Sequence, residues 1–143
     1  MEKVISHKSR KGHYRAEAAI VWCFDFRFSK LFNLFIEEFY FGKPYDLIRI
    51  AGGAKDLASP VRIFDTEYVL GQLAKSVKLH DPKKIVLMVH QECGDYGKKF
   101  RSDGEEKKFY IEELKKAKNL VLNKYPNKIA ETYYADFSGL WRV

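Results

Sequence analysis

The residues best equipped for chemistry are two cysteines and one histidine. His90-Gln91-Glu92-Cys93 sets an imidazole and a thiol three positions apart, so one turn can aim both at a single ion. Thiolate sulfur and imidazole nitrogen are ligands that zinc favours, and Cys23, far upstream, could supply a third. Three protein ligands leave one position of a tetrahedral ion open to water, as in catalytic rather than structural zinc sites. Two cysteines also fit inert core thiols or a redox couple, so the neighbours have to decide. After Cys23 the run C-F-D-F-R sets Cys23, Asp25 and Arg27 two residues apart, which on an extended strand end would point them to one side. Asp25 and Arg27 then read either as an ordinary ion pair or as a dyad beside the metal.

Such residues need rigid elements behind them. Residues 17–23, EAAIVWC, form a short apolar run suited to a strand buried on both faces and ending at Cys23. FSKLFNLFIEEFY spaces Phe28, Leu31, Phe32, Phe35, Ile36 and Phe39 by three and four, predicting an amphipathic helix that Gly42 and Pro44 stop. YDLIRI, residues 45–50, predicts a second strand running into Gly52 and Gly53, where glycine permits a tight loop. Residues 65–80 carry helical spacing, closed by Asp81-Pro82. IVLMVH, residues 85–90, predicts a strand ending at His90. A long helix follows over EEKKFYIEELKKAKNLVLNKY, and KIAETYYADFSGLWRV closes the chain as strand and turn. Alternating strands and helices predict an α/β domain with a mainly parallel sheet of four to five strands flanked by helices. Ligands bind such sheets beyond the carboxyl ends of the strands, where Cys23, the glycine loop and the His90 turn all fall.

The 143 residues suit one domain over 1–143, and 46% hydrophobic residues suffice for a packed core. No apolar run approaches the roughly 20 residues of a membrane span, and the basic N-terminus lacks the apolar segment of a secretory signal. The expected location is therefore cytoplasmic. The net charge of +7 comes mostly from lysines on helical faces of alternating sign, which argues against nucleic acid as a partner. Residues 1–15, with a basic cluster from Lys8 to Arg15, read as a mobile arm.

CFDFR at 23–27 and HQECG at 90–94 resemble the two hallmarks of the beta-class carbonic anhydrases, C-x-D-x-R and H-x-x-C-G. Between them IRIAGGAKD at 48–56 is similar to that family's R-x-A-G segment and TEYVLGQL at 66–73 to its S-x-E-Y-A helix; SGLWRV is similar to its closing strand. The resemblance spans residue 17 to the end. It implies that Cys23, His90 and Cys93 bind Zn2+, that Asp25 and Arg27 form the dyad beside it, and that the Gly52-Gly53 loop lies against the substrate. It also implies reversible hydration of carbon dioxide to bicarbonate, a homodimer or higher homo-oligomer, and a closed state in which Asp25 becomes a fourth metal ligand. Hydrolysis of carbonyl sulfide or carbon disulfide on the same scaffold, and a non-catalytic zinc-binding module, are the alternatives. Cobalt or cadmium would also suit two thiolates and an imidazole. Glu92 and Asp95 read as solvated or capping residues. The chain departs from the family pattern at Phe26, at Asp95 after Gly94, and in lacking a glutamine upstream of Cys23.

Overall fold

The computed structural model describes residues 1–143. Five strands, β1 (Ala18–Cys23), β2 (Tyr45–Ile50), β3 (Lys84–His90), β4 (Ile129–Asp136) and β5 (Gly139–Arg142), form one sheet in the order β2-β1-β3-β4-β5. The first four are parallel and β5 pairs antiparallel with β4. Three helices connect them: α1 (Ser29–Tyr40), α2 (Ile63–His80) and α3 (Asp103–Lys124). The mainly parallel α/β sheet expected from the sequence is the sheet observed. The closing segment is more structured than expected. Asp136 turns it into a hairpin by accepting hydrogen bonds from the Ser138 and Gly139 amides, at 2.8 and 2.9 Å, and from Trp141 Nε1 at 2.7 Å.

Burial explains the strand composition. β1 is buried at every residue and β3 at all but Lys84, because helices cover both faces of the central strands. Side chains alternate across the sheet. Ala18, Ile20 and Trp22 of β1 join Val86 and Met88 of β3 in a core closed by Phe32, Phe35 and Tyr40 of α1. Ala19, Val21 and Cys23 face the other way with Ile85, Leu87 and Val89, packing on Val69 and Leu73 of α2 and Tyr110, Leu114, Ala117 and Val121 of α3. From β1 the chain crosses to β2 on one side, and from β3 to β4 on the other. The strand order thus reverses between β1 and β3, and a crevice opens there beyond their carboxyl ends.

Residues 1–13 carry no helix or strand and lie exposed. Tyr14 and Arg15 are attached to the domain: Tyr14 Oη donates to Asp46 at 2.8 Å, and Arg15 pairs with Asp81. No helix is long and apolar enough to cross a membrane.

Candidate metal centre

At the reversal point β1 delivers Cys23 from the α2–α3 side, and β3 delivers His90 as the residue after Val89, on the α1 side with Met88. The turn after β3 then returns Cys93. The two sulfurs and one imidazole nitrogen lie within 4.8 Å of one another, and all three residues are buried. That group could hold a metal ion.

His90 is set up as a donor. Its Nδ1 lies 2.8 Å from the Gln91 carbonyl, which can only accept, so the proton resides on Nδ1 and the lone pair on Nε2. The ring is wedged beside Phe28 and Trp22, with centroid separations of 4.6 and 6.0 Å. Nε2 is fully buried and has no hydrogen-bond partner. Burying an unpaired lone pair costs on the order of 1–3 kcal/mol, so an orphan nitrogen facing two thiols marks an unfinished coordination shell.

The thiols are equally unusual. Cys23 is shifted down, foremost by the adjacent Cys93 thiol, against the opposing effect of burial. Cys93 is shifted up by that same thiolate neighbour and by burial. The pair gives up one proton readily and resists losing a second, because two buried negative sulfurs repel. A divalent cation removes that repulsion, so the donor set fits zinc.

Asp25 and Arg27 come together differently from the sequence expectation. The strand ends at Cys23, and Asp25 instead caps a 3-10 turn over Phe26–Phe28, its Oδ1 accepting from the Arg27 amide at 2.9 Å. The turn brings the Arg27 guanidinium back onto the same carboxylate, with Nε and Nη2 donating to Oδ2 at 3.1 and 2.8 Å. These bonds hold Asp25 below the usual carboxylate range, burial opposing. Asp25 Oδ2 lies 3.9 Å from His90 Nε2, next to the ligand group rather than within it. Phe26 points to solvent, so its bulk does not fill the crevice.

The glycine loop reaches the site because it lacks side chains. Gly53 has φ of +59°, and a Cβ there would sit 2.3 Å from the Met88 carbonyl and 3.1 Å from the Cys23 amide. Gly52, at φ +69°, would drive a Cβ to 2.7 Å from Asp95 Oδ2. A side chain at Gly53 would push the loop off the ends of β1 and β3.

Several residues with tertiary roles carry no local sequence signal. Glu92 accepts from Arg27 Nη1 at 3.0 Å through its side chain and from Nη2 at 2.9 Å through its carbonyl. Asp95 pairs at 3.1 Å with Lys55, a lysine buried beside the glycine loop. Glu106 and Tyr110 of α3 take the Glu92 and Cys93 amides. The first two had read as solvated or capping residues; their partners lie far off in sequence, where spacing says nothing.

No sequence model of a known family matches the chain. An uncharacterised protein of Rickettsia bellii is 20% identical over 148 residues, covering 97% of this chain and 90% of that protein. Solved structures are more informative. A carbonic anhydrase from Streptococcus mutans superposes with a TM-score of 0.64 at 18% identity, over 96% of this chain and 88% of the other. Beta-carbonic anhydrase isoform I from Trichomonas vaginalis gives 0.61 at 18% identity, over 96% and 87%. The carbonic anhydrase from Glaciozyma antarctica gives 0.60 at 17%, over 91% and 83%. The chain has the beta-carbonic anhydrase fold, in a small and divergent form.

Proposed function

We propose that this protein is a zinc-dependent carbonic anhydrase, with Cys23, His90 and Cys93 as metal ligands and Asp25 and Arg27 as the dyad beside them. The observation that carries the reading is His90 Nε2, buried, unpartnered and grouped with two buried sulfurs within 4.8 Å. Zinc bound by these three residues would supply Lewis-acid activation of a water molecule near neutral pH.

The chain's own contribution follows from the geometry. Asp25, kept ionised by Arg27, is an acceptor for a proton of the reacting water and so fixes the direction of its lone pair toward carbon dioxide. Arg27 spends its donors on Asp25 and Glu92. That engagement keeps Asp25 off the ligand set and favours the open arrangement over the closed one, in which it would be a fourth ligand. The Gly52-Gly53 loop supplies a wall of bare backbone where a small linear substrate can approach.

Phe24 and Phe26 are exposed on either side of Asp25, and Phe137 is exposed under the Arg27 guanidinium at 5.5 Å. This apolar rim also suits carbonyl sulfide or carbon disulfide, which are assayed alongside carbon dioxide. The protein is expected to act as a homodimer or higher homo-oligomer. Val61, Phe64 and Tyr68 stand exposed around a groove of about 1080 Å³ that Ile50, Ala51 and Lys55 also line. Sedimentation checks this, a monomer at all concentrations contradicting it.

The decisive test of activity is stopped-flow hydration of carbon dioxide by zinc-quantified protein between about pH 7 and 9, around the zinc-water pKa. Turnover that follows zinc content and vanishes in Cys93→Ser supports the reading. Stoichiometric zinc without turnover on carbon dioxide or its sulfur analogues refutes it.

A further inference from the structure

The turn that carries two of the three sulfur and nitrogen donors is held in an unfavourable backbone conformation. Glu92, between His90 and Cys93, has φ of +52°, in the left-handed region that residues with a Cβ rarely adopt. It has neither the glycine nor the asparagine that would make the conformation easy. Something outside the turn must therefore hold it.

The partners are specific and buried. The Glu92 amide donates to Glu106 Oε1 at 2.7 Å, and the Cys93 amide donates to Tyr110 Oη at 3.2 Å. Glu106 is 5% exposed and Tyr110 1% exposed. They sit four residues apart on the inner face of α3, one turn after the other, so one rigid helix grips two consecutive amides. Glu106 is in the first turn of α3, where the free amides and the helix dipole favour a carboxylate. A bond from an amide to a carboxyl oxygen is directional. From the opposite side Arg27 Nη2 holds the Glu92 carbonyl at 2.9 Å. The left-handed residue is held through both its own amide and its own carbonyl.

We infer that Glu106 and Tyr110 are positioning residues for the metal centre: by accepting the Glu92 and Cys93 amides they fix the left-handed turn that aims Cys93 at the same point as His90. The inference rests on Cys23, His90 and Cys93 being the metal ligands. Neither residue belongs to the ligand group. Their role is to remove the freedom of the turn before the ion arrives, so their loss acts on affinity and ligand geometry. α3 thereby couples directly to the site from the face of the sheet that also carries Cys23.

The test uses the full chain, cobalt(II) as the probe, and the variants Glu106→Ala, Glu106→Gln and Tyr110→Phe. Thiolate-to-cobalt charge-transfer absorption reports sulfur ligation, and competition with a chelator reports affinity. Glu106→Ala and Tyr110→Phe are expected to weaken cobalt binding about 10–100-fold, as loss of an outer hydrogen-bond partner does elsewhere, and to alter the charge-transfer bands. Glu106→Gln, which keeps an acceptor oxygen, is expected to restore most of both. Tyr110→Phe keeps the aromatic packing, so it remains informative if Glu106→Ala does not fold. Variants with a lowered apo melting temperature but unchanged affinity and spectrum would overturn the inference, assigning the two residues to stability alone. Glu106→Gln as damaged as Glu106→Ala would overturn it too, because charge rather than hydrogen bonding would then matter. Wild-type protein without a charge-transfer band would refute the metal centre itself, an outcome distinct from the other two.

Discussion

The two ends of the sheet each hold a histidine among polar partners, and they are built to opposite rules. At the amino end Asp46, the second residue of β2, accepts from Tyr14 Oη, Ser76 Oγ and His80 Nδ1, the last at 2.8 Å, with the Tyr14 and His80 rings stacked 4.0 Å apart. Both Asp46 oxygens are engaged there. At the carboxyl end His90 Nε2 has no partner and lies with two buried thiols within 4.8 Å. The satisfied cluster is a fastening: it ties the segment before β1 and the end of α2 to the sheet. The unsatisfied one retains valence, which is what a site for an added ion requires. A serine, a histidine and an aspartate in contact do not by themselves make a reactive site, since Asp46 here accepts from both of the others.

The strongest way to break this contrast is to delete a histidine at each end. His90→Ala, like Cys93→Ser, is expected to abolish stoichiometric zinc, a larger loss than the roughly 10–100-fold of an outer partner. His80→Ala should leave zinc untouched and lower the apo melting temperature by a few degrees, the equivalent of about 1–2 kcal/mol. Metal analysis and calorimetry on the same preparations separate the two. Gly53→Ala comes next. The collision of its Cβ with the Met88 carbonyl is expected to cost about 3 kcal/mol or more and to weaken zinc binding, both read in the same pair of assays.

Substituting the aspartates sharpens the comparison further. Asp25→Asn is expected to keep zinc and lower hydration turnover about 10–100-fold, whereas Asp46→Asn should leave turnover unchanged. Asp46→Asn should instead remove a pH dependence. Burial alone would raise Asp46, but bonds from Ser76, His80 and Tyr14 more than offset it and hold its pKa below the usual value. A depressed carboxylate stabilises the fold above its unfolded pKa of about 4, and that contribution is lost as pH falls through the folded value. Between pH 6 and 3 the wild-type apo protein should therefore lose more melting temperature than Asp46→Asn. Equal losses in thermal melts would mean that the cluster is not a fastening.

What could be read beforehand divides along the same physical line. β2, at Tyr45–Ile50, and the strand ending at His90 were legible because buried runs and glycine or proline stops are local signals. So was the grouping of Cys23, His90 and Cys93, whose atom types suit a metal ion. The Asp25–Arg27 contact was legible as a pair but not as a capping turn, because the sequence does not show that β1 stops at Cys23. The Lys55–Asp95 pair, the grip of Glu106 and Tyr110 on the turn, and the Asp46 cluster were not legible. Each joins elements packed together only in the finished fold, and an ordinary lysine or glutamate in a charged helix carries no mark of its partner.

The central claim is that Cys23, His90 and Cys93 together form an open zinc site. X-ray absorption at the zinc edge of the wild-type protein tests it most directly. The account predicts two sulfurs at about 2.3 Å, one imidazole nitrogen at about 2.0 Å and one further light-atom ligand. A shell of nitrogen and oxygen alone, or one unchanged in Cys93→Ser, would contradict it.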